Sequence, residues 1–336
     1  MRAALIATFL AAFTVASLPA AAREPVSAAD YRAAADAPPA TAAQVIATRD
    51  PPLIAYALEL SHADSRAHEK ALYVATTNLR ALTFEMSRNP PPSDEDCAHT
   101  LGASRFADQY ARLGVINDQL GNFEAVIDAN ESALACEPRV ASYHASIASA
   151  KLTLGHLDEA RAAAERGHAI DPEDEDVQDV RARLDFMQER WADAIARFRL
   201  QVLDEHYGDY ARCYLWLAQR RAGVREPELP NPKQDEKQPE PPLRKQWPAP
   251  ILDTLRGELS EEGLVTAIRD AGHTDGEARE WLSEALFYVG ELRLAEGDAE
   301  TARRHFASVV NLRVLNFVEY GMARAELRKM RASGRD

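Results

Sequence analysis

The sequence predicts an all-α fold, and three observations carry the prediction. Alanine, leucine, arginine and glutamate dominate, the residue types that lose least free energy in a helix. Apolar residues recur at intervals of three and four, and no useful length alternates apolar with polar as a half-buried strand would. A block of 34 residues then returns in phase along the chain, the mark of an α-solenoid made by stacking one helical hairpin. With 336 residues and 46% hydrophobic content, the chain can supply two ordinary domains or one array with a continuous core.

The chain opens with "MRAALIATFLAAFTVASLPAAAREP": a positive Arg2, an apolar run from Ala3 to Ala16 and small residues up to Ala22. That pattern predicts a secretory signal peptide over residues 1–22, cleaved after Ala22, and the apolar run is short for a membrane span. No cysteine precedes Cys97, so a lipid anchor is not expected, and neither is a transmembrane segment after cleavage. Removing the signal removes only Arg2 and takes the formal charge from −14 to −15. An acidic protein gains nothing from counterion release on nucleic acid and is repelled by anionic lipid, so neither partner is expected.

Residues 23–101 form a less regular N-terminal region. "LIAYALELS" and "SRAHEKALYVATTNLRALTFEMSR" have helical spacing, and "NPPPSDEDCAHTLG" reads as a loop. These helices are expected to cap the open end of the array or to form a homodimer contact. Cys97, Cys136 and Cys213 enter an oxidising compartment, where at least one must stay unpaired within the chain. If the helices flanking Gly121 are antiparallel, Cys97 and Cys136 lie at the same end, either joined as a disulfide or left as two separate thiols. Cys213, inside "YARCYLWLAQ", reads as a core residue.

Residues 102–223 carry the repeats. "GHLDEARAAAERGHAIDP" from Gly155 follows "GNFEAVIDANESALACEP" from Gly121 by 34 residues, and "ERWADAIARFRLQVL" continues the register with Trp191 at the place of Phe123 and Leu157. First helices are predicted over 107–119 and 142–153, ended by Gly121 and Gly155, where a left-handed residue is needed. Gly114, Ala148, Ala160, Ala194 and Ala133 let backbones approach, and Pro138 and Pro172 stop the second helices. A glycine turn, a bulky residue, a small residue and a closing proline at this period resemble the tetratricopeptide repeat. Residues 224–250, "VREPELPNPKQDEKQPEPPLRKQWPAP" with its flank, form a proline-rich exposed loop, with Trp247 docking beside Pro248 and Pro250 near Ile251. Residues 251–332 add a further copy at Leu282–Leu312 and a closing helix, "NFVEYGMARAELRKMRA", predicted to turn Glu319, Arg324 and Arg328 outward.

In order, "YLWLAQRR", "WPAPILDTLRGELSEEGL", "LSEALFYVGELRLAEGD" and "NFVEYGMARAEL" resemble the NlpI family of cell-envelope adaptor lipoproteins, a similarity running from Gly102 to Leu327. The resemblance implies a dimeric bacterial envelope adaptor that holds peptidoglycan hydrolases and a tail-specific protease together. This chain lacks the family's lipidated cysteine, has a longer leading region and an extended proline-rich loop.

Catalytic sets are not found. "DEDC" and "DPEDEDVQD" lack the glycine and spaced ligands of a calcium loop, Ser93, Ser260 and Ser283 lack a glycine elbow, and the histidines are scattered singly. No catalytic residue, cofactor or metal is therefore expected. What the repeat resemblance implies instead is a protein-binding groove on the concave side, where first helices project Asp108, Val115, Asp118 and Gln119, then Ser142, Ser149, Leu152 and Thr153, then Arg183, Phe186 and Met187. A mixed groove suits an extended or helical peptide. It does not suit the chaperone-tail clamp of some relatives, because Ala111 and Val115 stand where that clamp needs lysine and asparagine. The expected role is a periplasmic non-catalytic adaptor for envelope proteins; the alternative is a structural assembly factor for a secretion or outer-membrane complex.

Overall fold

Every regular element among the described residues is an α-helix, as the alanine-rich periodicity requires. The computed structural model describes residues 50–62, 66–202, 208–229, 247–271 and 275–334, so the expected signal peptide at 1–22 and most of the proline-rich loop lie outside them. In chain order the helices are α1 (Pro52–His62), α2 (Arg66–Arg88), α3 (Asp94–Cys97), α4 (Ala103–Gln119), α5 (Phe123–Cys136), α6 (Ala141–Leu154), α7 (Leu157–Ile170) and α8 (Glu175–Met187). Then follow α9 (Trp191–Gln201), α10 (Gly208–Arg221), α11 (Ala249–Leu255), α12 (Glu261–Asp270), α13 (Asp275–Ala295), α14 (Ala299–Leu312) and α15 (Val318–Ala332). None of them is long and apolar enough to cross a membrane.

The 34-residue period is visible in the backbone. Gly121, Gly155, Glu189 and Gly223 all take left-handed φ values, 73°, 83°, 59° and 90°. At each, two amide hydrogens turn back onto the preceding helix: Gly121 N to Asp118 O and Asn122 N to Asn117 O, both 2.9 Å, and Gly155 N to Leu152 O at 2.8 Å with His156 N to Lys151 O at 2.9 Å. Glu189 N to Phe186 O (3.0 Å) and Arg190 N to Asp185 O (2.8 Å) repeat the geometry without glycine. These bonds satisfy two of the orphan carbonyls at each helix end. The carboxylate of Glu189 is held by Lys329 at 3.2 Å and Arg221 at 3.4 Å, which helps offset the cost, about 1 kcal/mol, of a side chain in that region.

Consecutive helices pack as antiparallel pairs, α4 with α5, α6 with α7, α8 with α9 and α13 with α14. One main core runs from α6 to α15 and takes in α1 through Leu53, Ile54, Tyr56 and Leu60; it is centred on Phe186, Phe198, Tyr214, Phe287, Tyr288 and Phe306. Phe198 stacks on Tyr214 at 5.0 Å, and Phe186 meets Tyr214 edge-on at 5.6 Å, the arrangements aromatic quadrupoles favour. Asp185, buried beside this core, accepts from Arg161 (2.8 Å) and Arg197 (2.7 Å) and so ties α7 and α9 to α8. The N-terminal hairpins are held differently, by small separate clusters: Leu82, Met86 and Ile116 between α2 and α4, and Phe123, Val126 and Ala150 between α5 and α6.

The flanking helices depart from expectation. Only α2 caps the first hairpin; α1 packs instead on α12, α13 and α14, near the other end of the chain. Arg279 donates to Leu60 O at 2.7 Å, and Arg269 lies over the Tyr56 ring at 4.4 Å. The closing helix does not sit on the end of the stack. Instead α15 lies against the first helices α6 and α8 while its other side packs on α13 and α14. Trp247 stacks on Trp281 of α13 at 4.4 Å and donates through Nε1 to Glu284, so its main partner lies beyond the prolines beside it in sequence.

Candidate functional site

The predicted groove consists of equivalent positions in three successive first helices, and α15 covers them unequally. Val115, Ser149 and Arg183 are one such set: Val115 is 61% exposed, Ser149 is half-buried and Arg183 is 6% exposed. Asp118, Leu152 and Phe186 form the second, half-buried, 2% and 1% exposed. Gln119, Thr153 and Met187 form the third, exposed, half-buried and fully buried. Phe186 and Met187 therefore do not face the open cleft, and this corrects the reading from repeat position. The physical reason is that the chain's own C-terminal segment lies across the inner helices α6 and α8, and Phe186 turns into the aromatic core.

Small residues and cations seat α15. Gly321 lies against Thr153 so closely that a Cβ there would collide with the threonine hydroxyl. Tyr320 stacks on Phe123 at 6.4 Å, and the Tyr214 hydroxyl reaches the Met322 sulfur at 3.4 Å. Arg328 donates to Thr153 O at 3.1 Å, and Lys329 donates to Met187 O at 3.0 Å. Each cation meets the carbonyl end of a helix, where the backbone dipoles leave partial negative charge.

Glu319 is buried at the start of α15, against the expectation that it turns outward, because α15 is covered on two sides. Burial pushes its carboxyl up to about 7, with the Arg183 charge pulling the other way. Glu284 on α13 is pushed up by burial and by the Glu319 charge, while Tyr210 (3.1 and 3.2 Å) and the Trp247 indole donate to it. Arg183 donates to Asp179 within α8. Arg328 is likewise not turned freely outward but bonded to α6.

What stays open is a cleft of about 430 Å³ between α4, α5, α6, the α8 residues Asp176 and Arg183, and the segment Leu315–Val318 that leads into α15. Val115, Asp118, Ser142, Ser149, Leu152, Thr153 and Arg183 all line it, so the structure brings most of the predicted groove residues together. Asp108 and Gln119 are exposed and do not line it. The walls combine short side chains, Ala111, Gly114 and the hydroxyls of Ser142, Ser146 and Ser149, with larger ones, Phe123, Tyr143, Leu152 and Phe317. Burial alone raises the Asp118 carboxyl to about 6. The reading from sequence missed Leu315, Asn316 and Phe317 as cleft residues, since nothing in a repeat pattern signals that a later segment folds back.

Cys97 and Cys136 are joined in a disulfide, S–S 2.04 Å, which ties α3 to the end of α5 beside Ala107. Cys213 is a free, fully buried thiol whose pKa burial raises. Among the described residues no group of three or more His, Cys, Asp and Glu side chains is placed to hold a metal ion. No family model matches the chain.

Proposed function

We propose that the protein is a periplasmic, non-catalytic adaptor of tetratricopeptide type, resembling the NlpI family, that binds segments of envelope proteins in the open cleft beside α15. The observation that carries the reading is the cleft itself: a concave space with both exposed apolar surface at Val115 and polar edges at Ser149 and Asp118. Such mixed surfaces suit peptide segments held by many modest contacts. The Cys97–Cys136 disulfide supports an oxidising compartment such as the periplasm. On this reading the partners are a tail-specific protease and peptidoglycan hydrolases, and α2, with Tyr73, Val74 and Phe84 exposed, offers the surface for a homodimer.

The test places a photo-crosslinking amino acid at Val115 or Ser149 and, as a reference, at Glu131 on α5, in the native host. Proteases and hydrolases crosslinked from the cleft positions but not from Glu131 support the reading. Secretion or porin-assembly subunits would favour an assembly role instead. Equal labelling from all three positions, or turnover by the purified protein alone, would remove the adaptor reading.

A further inference from the structure

Four glutamates are buried where α15 meets α13, and their spacings match. The short connections at Gly297 and Arg313 reverse the chain twice, so α15 runs parallel to α13 and packs on it. Glu284 and Glu291 stand seven residues apart on α13, and Glu319 and Glu326 seven apart on α15, so each helix turns two acids to one face, two turns apart. All four are at most 6% exposed. The charge of Glu319 acts on Glu284 and that of Glu326 on Glu291, which sets the acids in two rungs, each joining residues 35 apart in sequence.

Too few cations serve these rungs. At the first, Arg183 is bonded to Asp179 while also facing Glu319, and Glu284 accepts from two neutral groups, the Tyr210 hydroxyl and the Trp247 indole, with Glu280 beside it. At the second, Arg221 donates to Glu291 and Lys329 to Glu326, and both cations also meet the Glu189 carboxylate. One Glu291 oxygen is sealed with no donor among the described residues. Arg183, Arg221 and Lys329 therefore face the four glutamates and also Asp179 and Glu189, twice as many acids as cations. Burial and mutual repulsion favour the protonated acids: Glu284 is pushed up to about 8 and Glu291 and Glu319 to about 7, against about 4.3 for an unfolded glutamate. The tyrosines at 210, 214 and 288 and the Cys213 thiol are raised by burial and stay neutral over this range. The stability these protons lend is complete below about pH 4.3 and is lost as pH rises through about 7 to 8.

We propose that the two rungs are a proton-operated clasp: protonated, they hold α15 against α13 and over the inner helices α6 and α8; ionised, they repel, and α15 leaves its seat. The seat at Thr153 and Met187 would then join the open cleft and lengthen it along the inner wall from α4 to α8. This rests on the adaptor reading and supplies its regulation, since a partner segment gains binding surface as pH rises.

The protein's own methionines report the clasp. Met187 accepts from Lys329 through its carbonyl, Met322 and Met330 are buried on α15, and Met86 lies between α2 and α4 as an internal reference. In the full-length protein labelled at the methionine methyls, a soluble nitroxide should broaden the NMR signals of Met187, Met322 and Met330 increasingly as pH rises from 6 to 8.5, with Met86 unchanged. Glu291→Gln combined with Glu319→Gln gives each rung one group that cannot ionise. It should lower the open fraction at pH 8.5 roughly tenfold, the factor carried by one pH unit of titration. Glu124→Gln, on the exposed side of α5, should leave the response as it was. Helical circular dichroism at pH 6 checks that the variants fold, and if the double variant does not, the single variants should each shift the opening to higher pH. The clasp is overturned if Met187 and Met322 stay protected at pH 8.5, if Met86 opens together with them, or if the glutamine variants open as the unsubstituted protein does. Crosslinking at Val115 is independent of these signals. Partners captured there while the methionines stay sealed leave the adaptor reading standing without the clasp; methionines that open while nothing is captured uphold the clasp without the adaptor.

Discussion

The first and third repeats have the same backbone and opposite surroundings. Around α4 the inner positions Val115, Asp118 and Gln119 meet solvent or a cleft; around α8 Arg183 reaches the cleft only as a buried side chain, and Phe186 and Met187 are sealed. The turn geometry does not differ, since Gly121 and Glu189 make the same pair of backbone bonds. What differs is the covering element: α15 packs on α6 and α8, and its cations reach the second and third helix ends but not the first. A repeat position therefore fixes where a side chain points, and only the rest of the chain decides whether that direction is a surface.

The sharpest test of this difference substitutes equivalent depths. Phe186→Ala removes a ring that contacts Trp191, Phe198 and Tyr214, and should cost about 3–5 kcal/mol, the range for emptying a buried aromatic site. Phe186→Asp should prevent folding outright, since it buries an unpaired charge. Val115→Ala, on the exposed wall, should change stability by no more than about 0.5 kcal/mol. Urea unfolding midpoints compare them; similar losses at both positions would mean that α15 does not seal the third repeat.

The N-terminal hairpin lacks the large core, so its cohesion should lean on covalent linkage. The Cys97–Cys136 bond closes a sequence separation of 39 residues, and Cys97→Ser with Cys136→Ser should cost about 2–4 kcal/mol. The loss should concentrate in amide exchange of α3 to α5, leaving α10 and α13 protected. Uniform loss of protection would show that the small clusters and the main core unfold as one unit.

Gly321 is where the covered half can be pried open. Gly321→Val places methyl groups into Thr153 and should loosen α15 by about 1–3 kcal/mol, an overpacking penalty. Faster exchange at Leu152 and Thr153 without a change at Asp118 is the expected pattern, because α15 packs on α6, which carries the first two, whereas Asp118 belongs to α4. Unchanged exchange at Thr153 would place the seat of α15 elsewhere.

These contrasts also mark what the residues disclosed in advance. The period, the glycine turns at Gly121 and Gly155 and the burial of Cys213 are local or periodic properties, and the sequence displays them directly. The turn at Glu189 carries no glycine; its long-range partners Lys329 and Arg221 help to hold it. The sealing of Phe186 and Met187 was illegible for the same reason, since α15 begins 131 residues after Met187 and only tertiary packing brings them together. Glu319 looked outward because helical spacing alone gives one buried stripe, whereas a helix lodged in a groove is covered on two.

The burial of Glu319 makes stability depend on pH. Burial raises the folded-state pKa of Glu319 to about 7, whereas an unfolded glutamate titrates near its ordinary value of about 4.3. The folded state therefore holds a proton that the unfolded state has released, and stability contributed by Glu319 is complete below about pH 4.3 and is lost as pH rises through about 7. Glu284, raised by burial and by the Glu319 charge, adds a slope of the same sign; Arg183, whose charge favours ionised Glu319, limits it, and Asp179 opposes Arg183. Glu319→Gln, which cannot ionise, should flatten the decline between pH 5 and 8.5 by roughly 1–2 kcal/mol, read as the difference in urea midpoints. The loosening at high pH should appear first as exchange in α15 and at Leu152, while α4 and the cleft beside Asp118 stay as they were. A slope unchanged by the substitution would mean that Glu319 is already ionised in the folded protein, with Arg183 as its effective counter-charge.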